Sequence, residues 1–353
     1  VTELTRDDIA ILCAAGAMAP SGGNAQPWRV TVTGDRMRIE PSGVHGGFLD
    51  VGGYAALIAI GAFAENIAVT ARSIGLGYAM TIRDGVVHVE FAGRGPARPD
   101  ELDDCIPRRV TNRRPSDGTV IEDAAIARLT GVVQDDHLAV TAVADPAGKA
   151  TVTDALAVAD ALRMRNKAMF ADMLAEMRWS ADETTATRDG MDIRTLELPP
   201  STEKLLSVLR HAPWLRVLLP RARLGDTARA LVAGCSHICC LSTSAELTRD
   251  TMVTAGMALQ RLWLTATRDD IAVHPWTVST LQLIRLERFA GAGFTPRERD
   301  TTARVGAGLR AGFGLPDDRH PLFVFRLSRA PQARARSLRL PWQSFTQVVG
   351  DDG

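Results

Sequence analysis

The sequence predicts an α+β fold: two pseudo-two-fold-related lobes with mixed sheets around central helices, plus a lid-like insert. Three observations carry the prediction. First, two long Ala-rich stretches, "GGYAALIAIGAFAENIAVTARSIGL" from Gly52 and "TMVTAGMALQRLWLTATRDDIAVHPWTV" from Thr251, have the apolar density of buried spine helices. Second, the two can be laid on one another as spine helix, turn and strand. Gly61 then falls on Gly256, Thr70-Ala71 on Thr265-Ala266 and Leu76 on Ile271. The identity is thin, so two Ala-rich helices could also match by chance. Third, the stretch from Ser180 to about Arg223 holds Pro199, Pro200, Pro213 and Pro220 among short helical pieces, the pattern of an inserted flap.

Each element follows from local pattern. "LTRDDIAILCAAGAMA" is helical, with Thr5 or Asp7 as cap. "WRVTVTGDRMRIEPS" alternates around Gly34-Asp35, and "YAMTIRDGVVHVEFAG" around Asp84-Gly85; both read as hairpins. "RPDELDDCIPRRVTNRRPSDGTVIEDAAIARL" gives an acidic helix, a basic loop and a helix from about Ile121. "HLAVTAVA" is a strand, and "TVTDALAVADALRMRNKAMFADMLAEMRW" is helical. "TPRERDTTARVGAGLRAGFG" is a short helix and "HPLFVFRLSRA" a closing strand. The tail is too polar for core, but Leu340, Trp342 and Phe345 could pin it to the body. The expected division is 1–104 for the first lobe and 105–353 for the second, with the insert at about 160–230.

Bulk properties narrow the function. The 353 residues are 46% hydrophobic, enough for one large or two medium cores. The 41 basic and 41 acidic side chains cancel, which argues against nucleic acid or an anionic membrane as partner. No stretch reaches the ~18 uninterrupted apolar residues of a membrane span. The opening "VTELTRDDIA" is acidic and mixed, unlike a signal peptide. It lacks an initiator Met, so processing or excision from a longer polypeptide stays open. Cysteines at 13, 105, 235, 239 and 240 show no disulfide framework, so a cytoplasmic location is expected. "CSHICC" tempts a metal reading, but no second ligand cluster exists; it reads as a buried strand, and no metal is expected.

The chemistry concentrates in two motifs. "APSGGNAQPW" (Ala19 to Trp28) packs turn formers and hydrogen-bonding side chains directly after a helix. "IPRRVTNRRP" (Ile106 to Pro115) strings arginines along an otherwise neutral loop. The first closely resembles a signature of the FMN-dependent nitroreductase superfamily, in the order Pro-Ser-x-x-Asn-x-Gln-Pro-Trp. The second resembles that superfamily's Arg-x-Ser-x-Arg element, with Thr111 in place of Ser. Ordinary members carry the Arg element first, the loop about thirty residues later, and bind FMN between two subunits. Here the loop lies in the first half and the Arg element opens the second. The layout is similar to the Acg-like subgroup, with two nitroreductase-like lobes and one flavin pocket per chain. That resemblance implies one complete FMN site between the halves, an empty opposite site, and a monomer by internal pseudo-dimer.

The residue types suit FMN. A phosphate favours planar, always-charged donors, which Arg109 and Arg113 supply, with the Thr111 hydroxyl between them. In an extended segment 109, 111 and 113 point the same way. Pro20, Ser21, Gly22, Asn24 and Gln26 offer a hydroxyl, unhindered backbone and amides toward the flavin edge. The resemblance adds Arg326 as a phosphate contact. It also places His274, Pro275 and Trp276 over the ring, with backbone N–H groups mattering more than side chains.

Each feature also has an ordinary reading. The loop could be a plain turn with Trp28 filling core. The arginines could be a solvated patch. A lone His beside Trp is more often packed than catalytic, so His274 is only a secondary candidate for proton donor. Trp179, Trp214 and the methionines at 164, 169, 173 and 177 read first as packing. The two motifs on one chain, with the repeat, favour the flavin.

The function expected is therefore an FMN oxidoreductase, in which NAD(P)H reduces the flavin and a nitroaromatic or quinone reoxidises it. One alternative is a flavin-sequestering protein whose lid excludes nicotinamide. Another is the reductase-like part of a substrate-activating fusion. "GAGLRAG" has no βαβ context, so a separate NAD domain is not expected.

Overall fold

The computed structural model describes residues 3–43, 47–220 and 224–350. Helix α1 (Arg6–Ala17) opens with a capping box: the Thr5 hydroxyl accepts the Asp8 N–H, and the Asp8 carboxylate accepts the Thr5 N–H. Thr5, not Asp7, is thus the cap. Both hairpins form, as β1 (Trp28–Thr33) with β2 (Arg36–Pro41), and β3 (Leu76–Arg83) with β4 (Val86–Arg94). Asp84 and Gly85 take the positive φ that such a two-residue turn requires.

Helix α2 (Tyr54–Ser73) is apolar on almost every side and buried on almost every side. The segment Val51–Ser73 is long and apolar enough by composition to cross a membrane, yet 89% of its apolar window is buried inside this protein. Helix α9 (Arg249–Arg268) packs against it. The two helices have the same length and start 195 residues apart, at 54 and 249. Gly61 and Gly256 stand at their crossing. Beyond the crossing Gln260 Nε2 donates to Asn66 Oδ1 at 2.7 Å, and Arg261 forms an ion pair with Glu65 at 2.5 Å. Shifting by 195 converts one of these contacts into the other.

The remaining elements are α3 (Asp123–Gly131), β5 (Leu138–Val143), α4 (Pro146–Arg165), α5 (Lys167–Ala175), β6 (Met177–Arg178), α6 (Ala181–Thr187), β7 (Met191–Asp192), α7 (Pro200–His211), α8 (Asp226–Ala233), β8 (His237–Thr243), β9 (Ala272–Pro275), α10 (Val278–Phe289), α11 (Pro296–Phe313), β10 (His320–Ser328) and β11 (Thr346–Val349). One sheet has the order β11-β1-β2-β4-β3 and is mixed, because β11 joins β1 in parallel. The other, β5-β8-β10-β9, is antiparallel throughout. The expectation of mixed sheets therefore fails for the second sheet. What lies parallel to β9 there is a single bridge, Thr111 to Val273, not a strand. Strand β8 is buried on both faces: Cys239 and Leu241 enter the main core, Ile238 and Cys240 a second one. This accounts for "ICC" as strand.

Several local expectations need correction. The acidic stretch before Arg109 is a run of turns at 101–108 instead of a helix, preceded by Pro99 and carrying Pro107 near its end. The methionine-rich helix breaks at Asn166, whose extended backbone ends α4 and whose side chain caps α5 through Met169 N–H. Helix α10 was given no element by the sequence pattern. Helix α11 has 18 residues and is not short. Its glycines are contact points, since a Cβ on Gly306 or Gly312 would lie 2.6 Å from Leu283 or Val152.

The closing strand is β11, not β10. From Arg329 the chain leaves the sheet of β10, and β11 joins β1 of the first sheet. Phe345 packs against Trp28 and Phe63, and Trp342 joins the same core. The insert from α5 through α7 has its own apolar cluster around Phe170, Met173, Met177, Leu206 and Leu209. Its residues Arg221 to Arg223 lie outside the described residues.

Candidate functional site

A cavity of about 910 Å³ lies where the first loop, the Arg motif, the insert and the tail converge. The size falls in the range of small-molecule sites. Pro20, Ser21, Gly22 and Asn24 line it, as do Arg109, Thr111, Arg113, His274, Pro275 and Trp276. The Arg motif reaches the residue just before the first loop: Arg109 Nη2 donates to Met18 O at 3.0 Å. A larger, more open depression of about 1440 Å³ between α2, α9 and the 94–102 segment holds none of the expected site residues.

The loop is shaped by backbone. Gly23, Asn24 and Gln26 all take positive φ. A Cβ on Gly22 would meet nothing within 4 Å, so the chain there leaves open space before it. The Asn24 amide is already engaged: Nδ2 donates to Gly190 O and Leu338 O, and Oδ1 accepts from Arg339. Gln26 does not line the cavity. Its Nε2 donates to Arg188 O and its Oε1 accepts the Leu340 N–H, so it ties the insert and the tail to the loop. The expected ligand contact from Gln26 is thus corrected to a structural one.

The Arg motif runs extended beside β9. Thr111 bridges Val273, and Asn112 N–H donates to Val273 O. This alternation turns 109, 111 and 113 to the cavity. Arg109 is buried over the Trp263 ring, 4.7 Å from its centroid. Arg113 donates to Thr195 O at 2.9 Å.

The tail brings two cations that sequence reasoning missed. Arg339 donates to Asn24 Oδ1 at 2.9 Å and Ala19 O at 3.3 Å; Arg336 donates to the carbonyls of Pro107 and Arg108. Both line the cavity. None of Arg109, Arg113, Arg336 and Arg339 pairs with a described carboxylate, and the Nε atoms of Arg109 and Arg339 are buried without a partner.

The electrostatic consequence is large. Burial, then the charges of Arg339 and Arg336, holds the Arg109 pKa well below the usual guanidinium value. Burial pushes Arg113 and Arg339 down to about 10 each; Glu197 partly restores Arg113, and Arg336 depresses Arg339 further. Such a cluster is costly without an anion.

Arg326 is not part of it. It is buried in β10 and absent from the cavity wall, so the expected ligand contact is corrected. Its Nε donates to His274 Nδ1 at 3.0 Å, and another nitrogen donates to Arg114 O. Because a guanidinium only donates, His274 Nδ1 must accept, and the ring proton sits on Nε2. Burial, then Arg113 and Arg326, holds the His274 pKa well below its usual value. A neutral imidazole can donate a hydrogen bond but is no store of an extra proton.

The backbone N–H groups expected over a ring are largely spent. Pro275 has none, and Trp276 N–H donates to Val324 O at 2.7 Å. The Trp276 indole donates to Asp160 Oδ2 at 3.0 Å. The donors remaining at this wall belong to the first turn of α10, which begins at Thr277 and Val278 without a side-chain cap.

No family model matches the chain. By sequence it is 24% identical over 349 residues to an uncharacterized protein, MT1398, of Mycobacterium tuberculosis; the match covers 93% of this chain and 47% of that protein. The chain therefore spans about half the length of this curated relative. Among solved structures it is similar to the FMN-dependent nitroreductase NfnB of Mycobacterium smegmatis in complex with NADPH, at 13% identity and a TM-score of 0.43, covering 70% of this chain and 97% of that one. It is also similar to an FMN and NADPH-dependent nitroreductase NfnB from sphigopyxis sp. strain HMH, at 16% identity and a TM-score of 0.38, covering 69% and 96%. A third is a nitroreductase with bound FMN from Bacteroides fragilis, at 11% identity and a TM-score of 0.36, covering 68% and 94%.

Proposed function

We propose that this cavity binds FMN and that the chain is a nitroreductase-type oxidoreductase, passing electrons from NAD(P)H to an electron-poor acceptor such as a nitroaromatic or quinone. One observation carries the reading: four guanidiniums without a carboxylate partner face one cavity beside a Ser-Gly loop that leaves room for a ligand. Arg109, Arg336 and Arg339 would hold the phosphate, the unpartnered Nε–H groups of Arg109 and Arg339 included. Arg113, Ser21 and the Gly22 backbone would meet the sugar chain and ring edge. Bound FMN supplies the redox centre. Neutral His274 keeps its Nε2–H for hydrogen bonding throughout.

The reciprocal contacts of α2 and α9 support an internal duplication, with two nitroreductase-like lobes of the Acg-like kind. One chain would then serve as a cytoplasmic monomer by internal pseudo-dimer.

A second reading has its own support. Leu196, Leu198, Leu205 and Leu206 of the insert line the cavity, as a lid over a flavin would. A closed lid would make the chain a flavin-sequestering protein without turnover. The relative of about twice this length favours a third context, a reductase-like part of a larger fusion.

The purified protein is expected to be yellow or to bind added FMN. A colourless protein that binds none overturns the proposal. Anaerobic NADPH then separates the first two readings: bleaching of the flavin band supports the enzyme, and persistence supports the binder.

A further inference from the structure

The anion site leaves one charged group of the cavity unexplained. Asp160, on α4, lines the cavity and accepts the Trp276 indole N–H on Oδ2. Among the described residues, its Oδ1 has no hydrogen-bond partner and the carboxyl joins no ion pair. Met164 lies one helical turn beyond it on α4, and Met173, Met177, Leu206 and Leu209, which pack in one apolar cluster with Met164, line the same cavity. Thioethers pack well on aromatic faces and adapt to ring shape.

We propose that this wall is a subsite for a neutral aromatic ring bearing a hydroxyl or N–H, with Asp160 Oδ1 accepting its hydrogen bond and the methionines packing on its faces. This deepens, and rests on, the reading of the cavity as a flavin-dependent oxidoreductase site: the ring belongs to an acceptor that carries a donor group beside its reducible one, as a nitrophenol does.

Charge excludes the alternatives. A cationic ligand meets Arg109, Arg113, Arg336 and Arg339 in the same cavity. An anionic ring is drawn to the four arginines instead, and at Oδ1 it meets like charge. A plain aliphatic chain offers Oδ1 no donor and would take the place of water there. The charge that acts on Asp160 is Arg163 on its own helix, paired with Glu176 at 3.4 Å; Asp226 at the start of α8 and neutral His274, which stacks on Trp276, line the same cavity. Burial raises the Asp160 pKa to about 6, against the lowering effects of the Trp276 hydrogen bond and the Arg163 charge. At pH 7.5 the carboxylate accepts only; at pH 5 it is a carboxylic acid that can also donate.

The test is calorimetric titration of the FMN-loaded protein with 2-naphthol and with 2-methoxynaphthalene, the same ring without a donor. Wild type at pH 7.5 is expected to prefer 2-naphthol by about tenfold or more, the effect of one hydrogen bond to a charged group. The preference should shrink at pH 5, a measurement that needs no variant. Asp160→Asn keeps an acceptor for the indole and offers an NH₂ group, so it should lose or reverse the preference. Met164→Trp, which fills the wall, should weaken both ligands. Equal binding of the two ligands by wild type, or a preference unchanged both at pH 5 and in Asp160→Asn, overturns the inference. Failure to load FMN counts against the proposed function instead, and the same titrations on the flavin-free protein then judge the subsite alone.

Discussion

Gly61 and Gly256 meet backbone to backbone where α2 crosses α9. A Cβ on Gly61 would lie 1.9 Å from Val253 O, and one on Gly256 would lie 2.1 Å from Ile58 O. Neither obstacle is a side chain that can rotate away. Positions 58 and 253, like 61 and 256, are 195 apart, so the two clashes are reciprocal.

Alanine at either glycine must therefore push the helices apart. Gly61→Ala and Gly256→Ala should each destabilise by about 1–3 kcal/mol or more, the usual range for overpacking. Once one methyl has separated the helices, the second finds room. The double variant should accordingly lose less than the sum of the singles, by urea denaturation.

Arg109 offers a test that separates binding from folding. It is buried, stacked on Trp263 and unpaired with any described acid. Arg109→Met removes a charge-assisted contact of about 1.5–3 kcal/mol, so FMN affinity should fall roughly 10–150-fold. The flavin-free protein should melt no lower than wild type, because an uncompensated buried charge has gone. Fluorescence titration and a thermal melt check the two halves of this expectation.

How far the sequence could be read follows from how local each signal was. Hairpins, the Thr5 cap, the spine helices and the buried β8 rest on short-range pattern, and they were legible. The contact between Met18 and Arg109 was inferable only because two motifs pointed to one ligand. Arg336 and Arg339 were not legible, since "QARARSLRL" has the spacing of a solvated tail. What places them is the Leu340 N–H bond to Gln26, a contact across the whole chain. Gln26 and Arg326 differ from expectation for the complementary reason: burial turns both side chains to protein partners.

Two groups in the cavity, buried His274 and half-buried Asp160, should shift stability with pH in opposite directions. His274 has a depressed folded pKa, so below about pH 6.5 the unfolded chain binds a proton that the native state refuses. Stability from this group falls as pH drops below 6.5. His274→Asn, which keeps an acceptor for Arg326, should flatten that acid slope. Asp160 is the reverse: its folded pKa is raised from 3.8 to about 6, so acidification from above 6 toward 3.8 relieves a destabilisation. Asp160→Asn should stabilise the flavin-free protein at pH 8, by up to about 3 kcal/mol, and not at pH 4. Denaturant midpoints of both variants across pH 4–8 test the signs independently.

Gln26 should act as the latch of the tail. Its two amide atoms hold Arg188 O at 2.9 Å and Leu340 N–H at 2.8 Å, and it is buried. Gln26→Leu would leave both backbone groups unpaired, at about 1–3 kcal/mol for each that stays buried. The cheaper outcome is that the tail lifts and rehydrates. Lifting it carries Arg336 and Arg339 away from the cavity and uncovers Phe345 from Trp28 and Phe63. Hydrogen exchange over 335–349 should then accelerate, and FMN affinity should drop although no cavity-lining residue was changed. Gln26→Glu keeps the acceptor for Leu340 but loses the bond to Arg188 and sets a buried carboxylate against that carbonyl, so its tail should also exchange faster than that of wild type. Wild-type exchange rates in Gln26→Leu would show that β11 alone holds the tail.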